Sequence, residues 1–308
     1  MNDVERKIYD DISMEILNYL SQNGIKYDLK KEKKAIMDST SQILQDSKND
    51  FEVKEIFSMR FIALFNYIEK TIPPLPRNVY FSKYLLKRMD EDLNEDIINK
   101  IKIFKQKFES GEDINSNLSK GIFNSNSWDY ILNIWNIRHL HLSESVELNK
   151  DAMSNNRSDY LLFFVLDGEN VYFIDVRKHP KGAGFTSFQF LEILDESDLL
   201  NLIGFQEIKD IIDLNLVIEN DEDIYQLTKC GMNIIYKINE KYYINVSGIT
   251  SVGNKMDHTF IMMNIRKKIS NLLGKNQIEY IGFELLLNGC LGVIKYKIDS
   301  KEKQLILY

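Results

Sequence analysis

The stretch Trp128–His179, WDYILNIWNIRHLHLSESVELNKDAMSNNRSDYLLFFVLDGENVYFIDVRKH, decides how the chain is read. Its first part has helical spacing, with Trp128, Ile131, Leu132 and Trp135 on one stripe. Arg138-His139-Leu140-His141 closes that pattern. A polar loop, SESVELNKDAMSNNR, follows. The apolar run Tyr160–Val165 then meets Asp167-Gly168 and is answered by Val171–Val176, which predicts a β-hairpin ending in Arg177-Lys178-His179. Helix gives way to sheet inside this one segment.

Outward from it, the N-terminal side reads as helix. Ile8, Ile12, Ile16 and Leu20 recur at i, i+4, and Gly24 suits the residue just past a helix end. The lysine-rich LKKEKKAIMDSTSQILQD predicts a second helix. Its Lys30, Lys31, Lys33 and Lys34 are either a solvated face or a contact for a phosphate backbone. Residues 51–71 form a third helix with Phe57, Phe61, Leu64 and Ile68 as its apolar stripe. Three of the four prolines then fall in Ile72-Pro73-Pro74-Leu75-Pro76, an elbow. Ser82 caps a following helix, and another runs over 91–110 to Gly111.

On the C-terminal side, 186–200 predicts a helix returning over the hairpin. From Glu192 to Asp223 eleven carboxylates face one lysine, Lys209. Such a run repels nucleic acid locally and suits a basic protein partner or plain solvation. Paired strands are expected over 232–238 and 242–246, a helix over 258–273, and strands over 278–287, 293–298 and 304–308. The expected class is therefore α+β, a helical N-terminal half followed by a mixed antiparallel-sheet and helix C-terminal half. The best domain division is 1–142 helical and 143–308 α+β, with a softer boundary near 228.

Composition bounds the function. The 308 residues are 44% hydrophobic and 28% charged, an ordinary globular balance. No apolar run reaches the roughly 18 residues of a membrane span, and the charged N-terminus lacks a signal-peptide core. A cytoplasmic protein without membrane contact is the expectation. The two cysteines, Cys230 and Cys290, form no zinc motif. The net charge of −7 argues against broad nucleic-acid coating but not against a local basic site. The abundance of Asn, Ile and Lys points to an AT-rich coding sequence and so to a low-GC bacterium.

Only four histidines occur, and His139, His141 and His179 fall within about forty residues, along with Arg138, Arg157, Arg177 and Lys178. That set carries the chemistry for phosphodiester cleavage without a cofactor. One imidazole deprotonates a hydroxyl, a second protonates the leaving oxygen, and a guanidinium steadies the charged transition state. His139, His141, Arg157 and His179 are the expected catalytic group; Arg138, Arg177 and Lys178 the expected substrate contacts. The bland reading stands beside it: Arg138 and His139 suit a helix C-terminus, and His141 suits a hydrogen-bonded core position. If the helix ends near Arg138, His139 and His141 share one face of an extended strand. That arrangement also suits a metal, with His179 or Glu144 as third ligand. There is no phosphate-binding glycine loop, dinucleotide fingerprint or nucleophile elbow.

LLFFVLDGENVYFIDVRKH resembles the central strands of RelE/HigB-type bacterial toxins. The resemblance covers about 25 residues and implies cleavage of RNA, with Arg157 at the opening of a strand and Arg177, Lys178 and His179 at the basic strand end. Those toxins are basic and near 100 residues long; this chain is acidic and three times longer. The expectation is a metal-independent ribonuclease of the toxin or abortive-infection, phage-defence kind, with RNA as partner and no cofactor. The alternative is a non-enzymatic adaptor, inhibitor or defence-complex subunit with structural histidines.

Overall fold

The computed structural model describes residues 1–40, 45–125, 127, 129–209, 218, 220–250, 255–275, 277–287 and 291–307. Trp128, Cys290 and part of the acidic run (210–217 and 219) lie outside the described residues. In chain order the elements are α1 (Asp3–Gln22), α2 (Leu29–Thr40), α3 (Gln45–Lys70), β1 (Asn78–Phe81), α4 (Lys83–Glu91), α5 (Glu95–Ser110), α6 (Tyr130–Trp135), β2 (Arg138–His141), α7 (Lys150–Asn155), β3 (Tyr160–Asp167) and β4 (Asn170–Lys178). They continue with α8 (Gln189–Glu196), β5 (Phe205–Ile208), α9 (Asp221–Lys229), β6 (Ile235–Ile238), β7 (Lys241–Asn245), α10 (Met256–Lys275), β8 (Glu279–Leu285), β9 (Gly292–Ile298) and β10 (Lys301–Leu307). The fold class is α+β, helical first and mixed afterwards, as the periodicity predicts.

The chain divides into two compact units: residues 1–70, 123–127 and 257–308, and residues 71–122 and 128–256. Neither is bounded at residue 142. The first change of unit falls at the proline elbow, where three ring-locked residues prevent α3 from continuing. Residue 142 instead lies just past β2, which pairs with β3 in one sheet, so a cut there would break a hydrogen-bonded ladder.

In the first unit, α1 packs on α3, and Ile8, Ile12, Ile16, Leu20, Phe57, Phe61 and Leu64 are fully buried between them. The same core takes in Ile265 and Ile269 of α10 and Ile294 of β9. Strands run in the order β10-β9-β8, all antiparallel.

The second unit holds a four-stranded sheet in the order β1-β4-β3-β2, with β1 parallel to β4 and the rest antiparallel. The β3–β4 hairpin turns on Gly168, whose φ of 56° is one that a glycine adopts without strain. Its two faces are covered differently. On one, Phe108 of α5 meets Phe164 and Phe173 edge-on, at 5.3 and 5.6 Å. On the other, Phe190 of α8 packs on Phe163 at 4.7 Å. The second sheet, β5-β7-β6, joins this latter core through Phe205, Tyr236 and Ile238. The Trp135 indole N–H donates to the Tyr236 hydroxyl at 3.3 Å, so the buried ring leaves no donor unpaired.

Candidate functional site

The histidine segment is placed by the end of α6. Asp129 caps that helix, its carboxylate accepting the Leu132 N–H at 3.3 Å. Asn136 ends it at φ 53°, a left-handed conformation that asparagine tolerates. The chain then extends as β2. The register pairs His139 with Phe163 and His141 with Leu161, and on the next strand Phe163 with Asp175 and Leu161 with Arg177. Directly paired residues share a face, so His139, His141, Asp175 and Arg177 project together. The His179 N–H donates to Asp159 O at 2.6 Å and carries the ladder one step past β4.

His141 and His179 form a stacked pair, with ring centroids 5.7 Å apart and planes at 29°. His141 is 3% exposed. Its Nδ1 lies 3.0 Å from Ser158 O. A carbonyl oxygen only accepts, so the hydrogen-bond network places the proton on Nδ1 and the free lone pair on Nε2. Burial pulls this imidazole down to about 4, against the Ser158 carbonyl and with help from Arg157, His139 and His179. It is neutral at physiological pH. His179 is exposed, and its Nδ1 is 2.9 Å from Pro180 O, which assigns the same tautomer when the ring is neutral. Each ring thus commits Nδ1 to a carbonyl and leaves Nε2 without a protein partner among the described residues.

His139 is set among aromatic rings. Its ring packs against Phe163 at 5.9 Å and Phe185 at 5.5 Å. Nδ1 is buried without a hydrogen bond and lies 3.7 Å from the Asp129 carboxylate. Burial lowers its pKa, partly offset by Asp129. Phe185 belongs to the 3-10 turn Gly182–Thr186 and also meets His179 edge-on at 5.4 Å. One phenyl ring therefore touches two of the three clustered histidines.

The basic residues separate. Arg157 is exposed, immediately precedes the Ser158 carbonyl that holds His141, and has no carboxylate partner among the described residues. Arg177 is already engaged. Its Nε donates to Asp175 Oδ2 at 2.6 Å, its Nη2 donates to Gln189 Oε1 at 2.8 Å, and it stacks over Phe190 at 4.0 Å. Arg88 of α4 donates to the other Asp175 oxygen at 2.6 Å and to Val176 O at 2.7 Å. Asp175, 1% exposed, is a buried carboxylate satisfied by two guanidiniums and the Val176 N–H. Arg177, expected as a substrate contact, is thus held by internal partners. Strand alternation puts Arg138 and Lys178 on the face opposite the histidines, so the sheet does not bring these two to the histidine pair.

The β2–β3 connection that carries Arg157 and Ser158 is anchored by Asn117, whose amide donates to Ser143 O at 2.8 Å. Lys107 donates to the Ser145 hydroxyl at 2.6 Å, and Ser116 accepts the Val146 N–H at 3.4 Å. Phe185, Ser158 and Asn117 have no sequence signature, since each acts through a contact made only in the fold. Among the described residues no three His, Cys, Asp or Glu side chains are grouped to hold a metal ion, and Glu144 contributes a backbone carbonyl to Asn156. The fourth histidine, His258, belongs to the other unit, where its Nε2 lies 3.2 Å from Glu69. No helix among the described residues is long and apolar enough to cross a membrane. No family model matches the chain, no curated protein matches it, and no solved structure matches it.

Proposed function

We propose that the second unit is a metal-independent endoribonuclease, acting as a bacterial toxin or abortive-infection effector. The observation that carries this reading is the His141–His179 pair: two stacked imidazoles, each with Nδ1 held by a carbonyl and Nε2 left for chemistry. An RNA strand supplies its own nucleophile. His141 Nε2, neutral at pH 7, takes the proton of a ribose 2′-hydroxyl as that oxygen attacks the adjacent phosphorus. The P–O5′ bond breaks, and protonated His179 gives its proton to the departing oxygen. The products are a 2′,3′-cyclic phosphate and a 5′-hydroxyl, and no water is consumed. The Arg157 guanidinium, without a carboxylate partner among the described residues and beside His141, is the group to stabilise the pentavalent phosphorane. His139 supports the pair through Phe185 from within the core. Bound phosphate raises the basicity of His141 by placing an anion next to a desolvated ring, which moves it toward the range where a general base is most effective.

Paired induction curves in a bacterial host test this. The wild-type chain arrests growth and degrades RNA; soluble His141→Ala/His179→Ala protein does neither. Arrest by both proteins alike removes the role assignments.

One observation favours a second reading. His141 is buried in a packed sheet and His139 packs between Phe163 and Phe185, as purely structural histidines would. In that case the chain is an interaction protein, and the same replacements lower stability by more than about 1–2 kcal/mol without changing function. The acidic 192–223 run would then meet a basic partner. Several of its carboxylates have internal partners: Asp195 accepts from Asn239 and Tyr243, Asp221 accepts the Phe188 N–H, Glu222 accepts from Gln226, Asp223 accepts from Asn220, and Glu207 pairs with Lys241.

A further inference from the structure

Helix α2 presents an arrangement that the sequence KKEKK does not by itself dictate. A mixed run of this kind ordinarily lies on a solvated face, with glutamate and lysines compensating one another. Here Glu32 is turned inward. Arg60 of α3 clamps its carboxylate through Nε at 2.9 Å and Nη2 at 3.0 Å, and the Tyr27 hydroxyl donates to it at 2.6 Å. Glu32 is 4% exposed. This bidentate pair fixes the rotation of α2 about its own axis.

The consequence is geometric. At about 100° per residue, Lys33, Lys30, Lys34 and Lys31 fall within an arc of roughly 160°, and the middle of that arc lies opposite Glu32. All four lysines are exposed, and none has a carboxylate partner among the described residues. Elsewhere in the same unit Arg6, Lys54, Arg60, Lys295 and Lys297 are ion-paired, while Lys267, Lys301 and Lys303 lack an ion pair among the described residues but are not gathered on one helix face with the α2 lysines. The Asp28 carboxylate caps the helix by accepting the Lys30 and Lys31 N–H groups, so its charge sits at the helix start, at the Lys31 end of the arc. Burying the one carboxylate of the run leaves four exposed lysines along about 6 Å of helix, of which Lys31 alone lies near enough to Asp28 to help hold that carboxyl low.

We propose that this face of α2 is a second RNA-contacting surface, one that binds the phosphates of a single strand without reading its bases. Lysines on flexible stems suit sequence-independent phosphate contact. The choice of RNA among polyanions rests on the ribonuclease reading above; the surface itself rests on the Glu32–Arg60 clamp and the unpaired lysines.

The test uses the full chain carrying His141→Ala and His179→Ala, so that RNA is not consumed. Fluorescence anisotropy follows binding of a labelled 20-nucleotide single-stranded RNA over a series of salt concentrations. Each phosphate neutralised on a single strand contributes about 0.7 to the slope of log affinity against log salt, so replacing Lys30, Lys31, Lys33 and Lys34 by Gln makes the slope shallower by up to about 3. Affinity at low salt falls by roughly tenfold or more. A matched variant with Lys267, Lys268, Lys301 and Lys303 changed to Gln keeps the parental slope. Equal slopes in the parent and the α2 variant overturn the proposal. So does an equal loss in the matched variant, which would be a net-charge effect. Binding to phosphatidylserine vesicles that is lost with the α2 lysines, while RNA binding is unchanged, assigns the surface to membranes and also overturns it. Cleavage is not read in this experiment, so failure of the ribonuclease reading and failure of the α2 surface are separate results.

Discussion

Acidification from pH 7 to pH 5 should destabilise the second unit through His141 in particular. Burial holds this imidazole at about 4, against 6.5 for a solvated histidine. The unfolded chain therefore binds a proton that the folded chain refuses. The stabilisation from keeping His141 neutral is fully present above pH 6.5 and is lost as pH falls from 6.5 toward 4. The full gap corresponds to about 3 kcal/mol, and the part lost between pH 7 and pH 5 is about 2 kcal/mol. His141→Asn isolates this contribution, because the asparagine amide can still donate to Ser158 O while carrying no titratable proton. His139, also lowered by burial, remains in both proteins and cancels. The assay is urea denaturation at pH 7, 6 and 5, followed by tryptophan fluorescence; Trp135 is fully buried in the core that holds Phe163 and Phe190. The wild-type chain should lose about 2 kcal/mol more than His141→Asn between pH 7 and pH 5. Equal losses, within about 0.5 kcal/mol, would refute the argument that the fold keeps His141 desolvated and neutral.

Other perturbations follow from the same geometry. Arg88→Ala leaves the buried Asp175 carboxylate with one guanidinium instead of two and should cost about 3 kcal/mol in denaturant melts. Arg157→Ala should slow RNA cleavage by about 10²–10³-fold with unchanged melting, whereas Lys178→Ala, on the opposite sheet face, should change the rate by less than about threefold. Phe185→Leu keeps an apolar side chain but loses the ring against His139 and His179. It should lower kcat more than it raises KM, with Phe185→Tyr restoring the wild-type value.

Local periodicity carried most of the fold. Ile8, Ile12, Ile16 and Leu20 are all buried as their spacing predicts, Ser82 caps α4, Gly111 ends α5 in a left-handed conformation, and the Asp167-Gly168 signal marks the hairpin. The failures are non-local. The strand Asn78–Phe81 was invisible because four residues between a proline elbow and a helix have no period, and only the parallel ladder to β4 makes them a strand. Helical spacing through His141 overstated α6, since Asn136 breaks the pattern with a backbone conformation that apolar counting does not detect. At the site, His139 and His141 share one strand face only on the condition that the helix stops before them, and Asn136 supplies that stop. The second clamp on Asp175 was not legible, because Arg88 arrives from a helix far away in sequence. The inward turn of Glu32 was hidden for the same reason.

End-group analysis of RNA incubated with the purified chain tests the central claim most directly. The account predicts products ending in 2′,3′-cyclic phosphate and 5′-hydroxyl, formed by the wild-type chain and absent with folded His141→Ala and with folded His179→Ala. Intact RNA with the wild-type chain, or the same products from both variants, would contradict the assignment of this histidine pair as the acid and base.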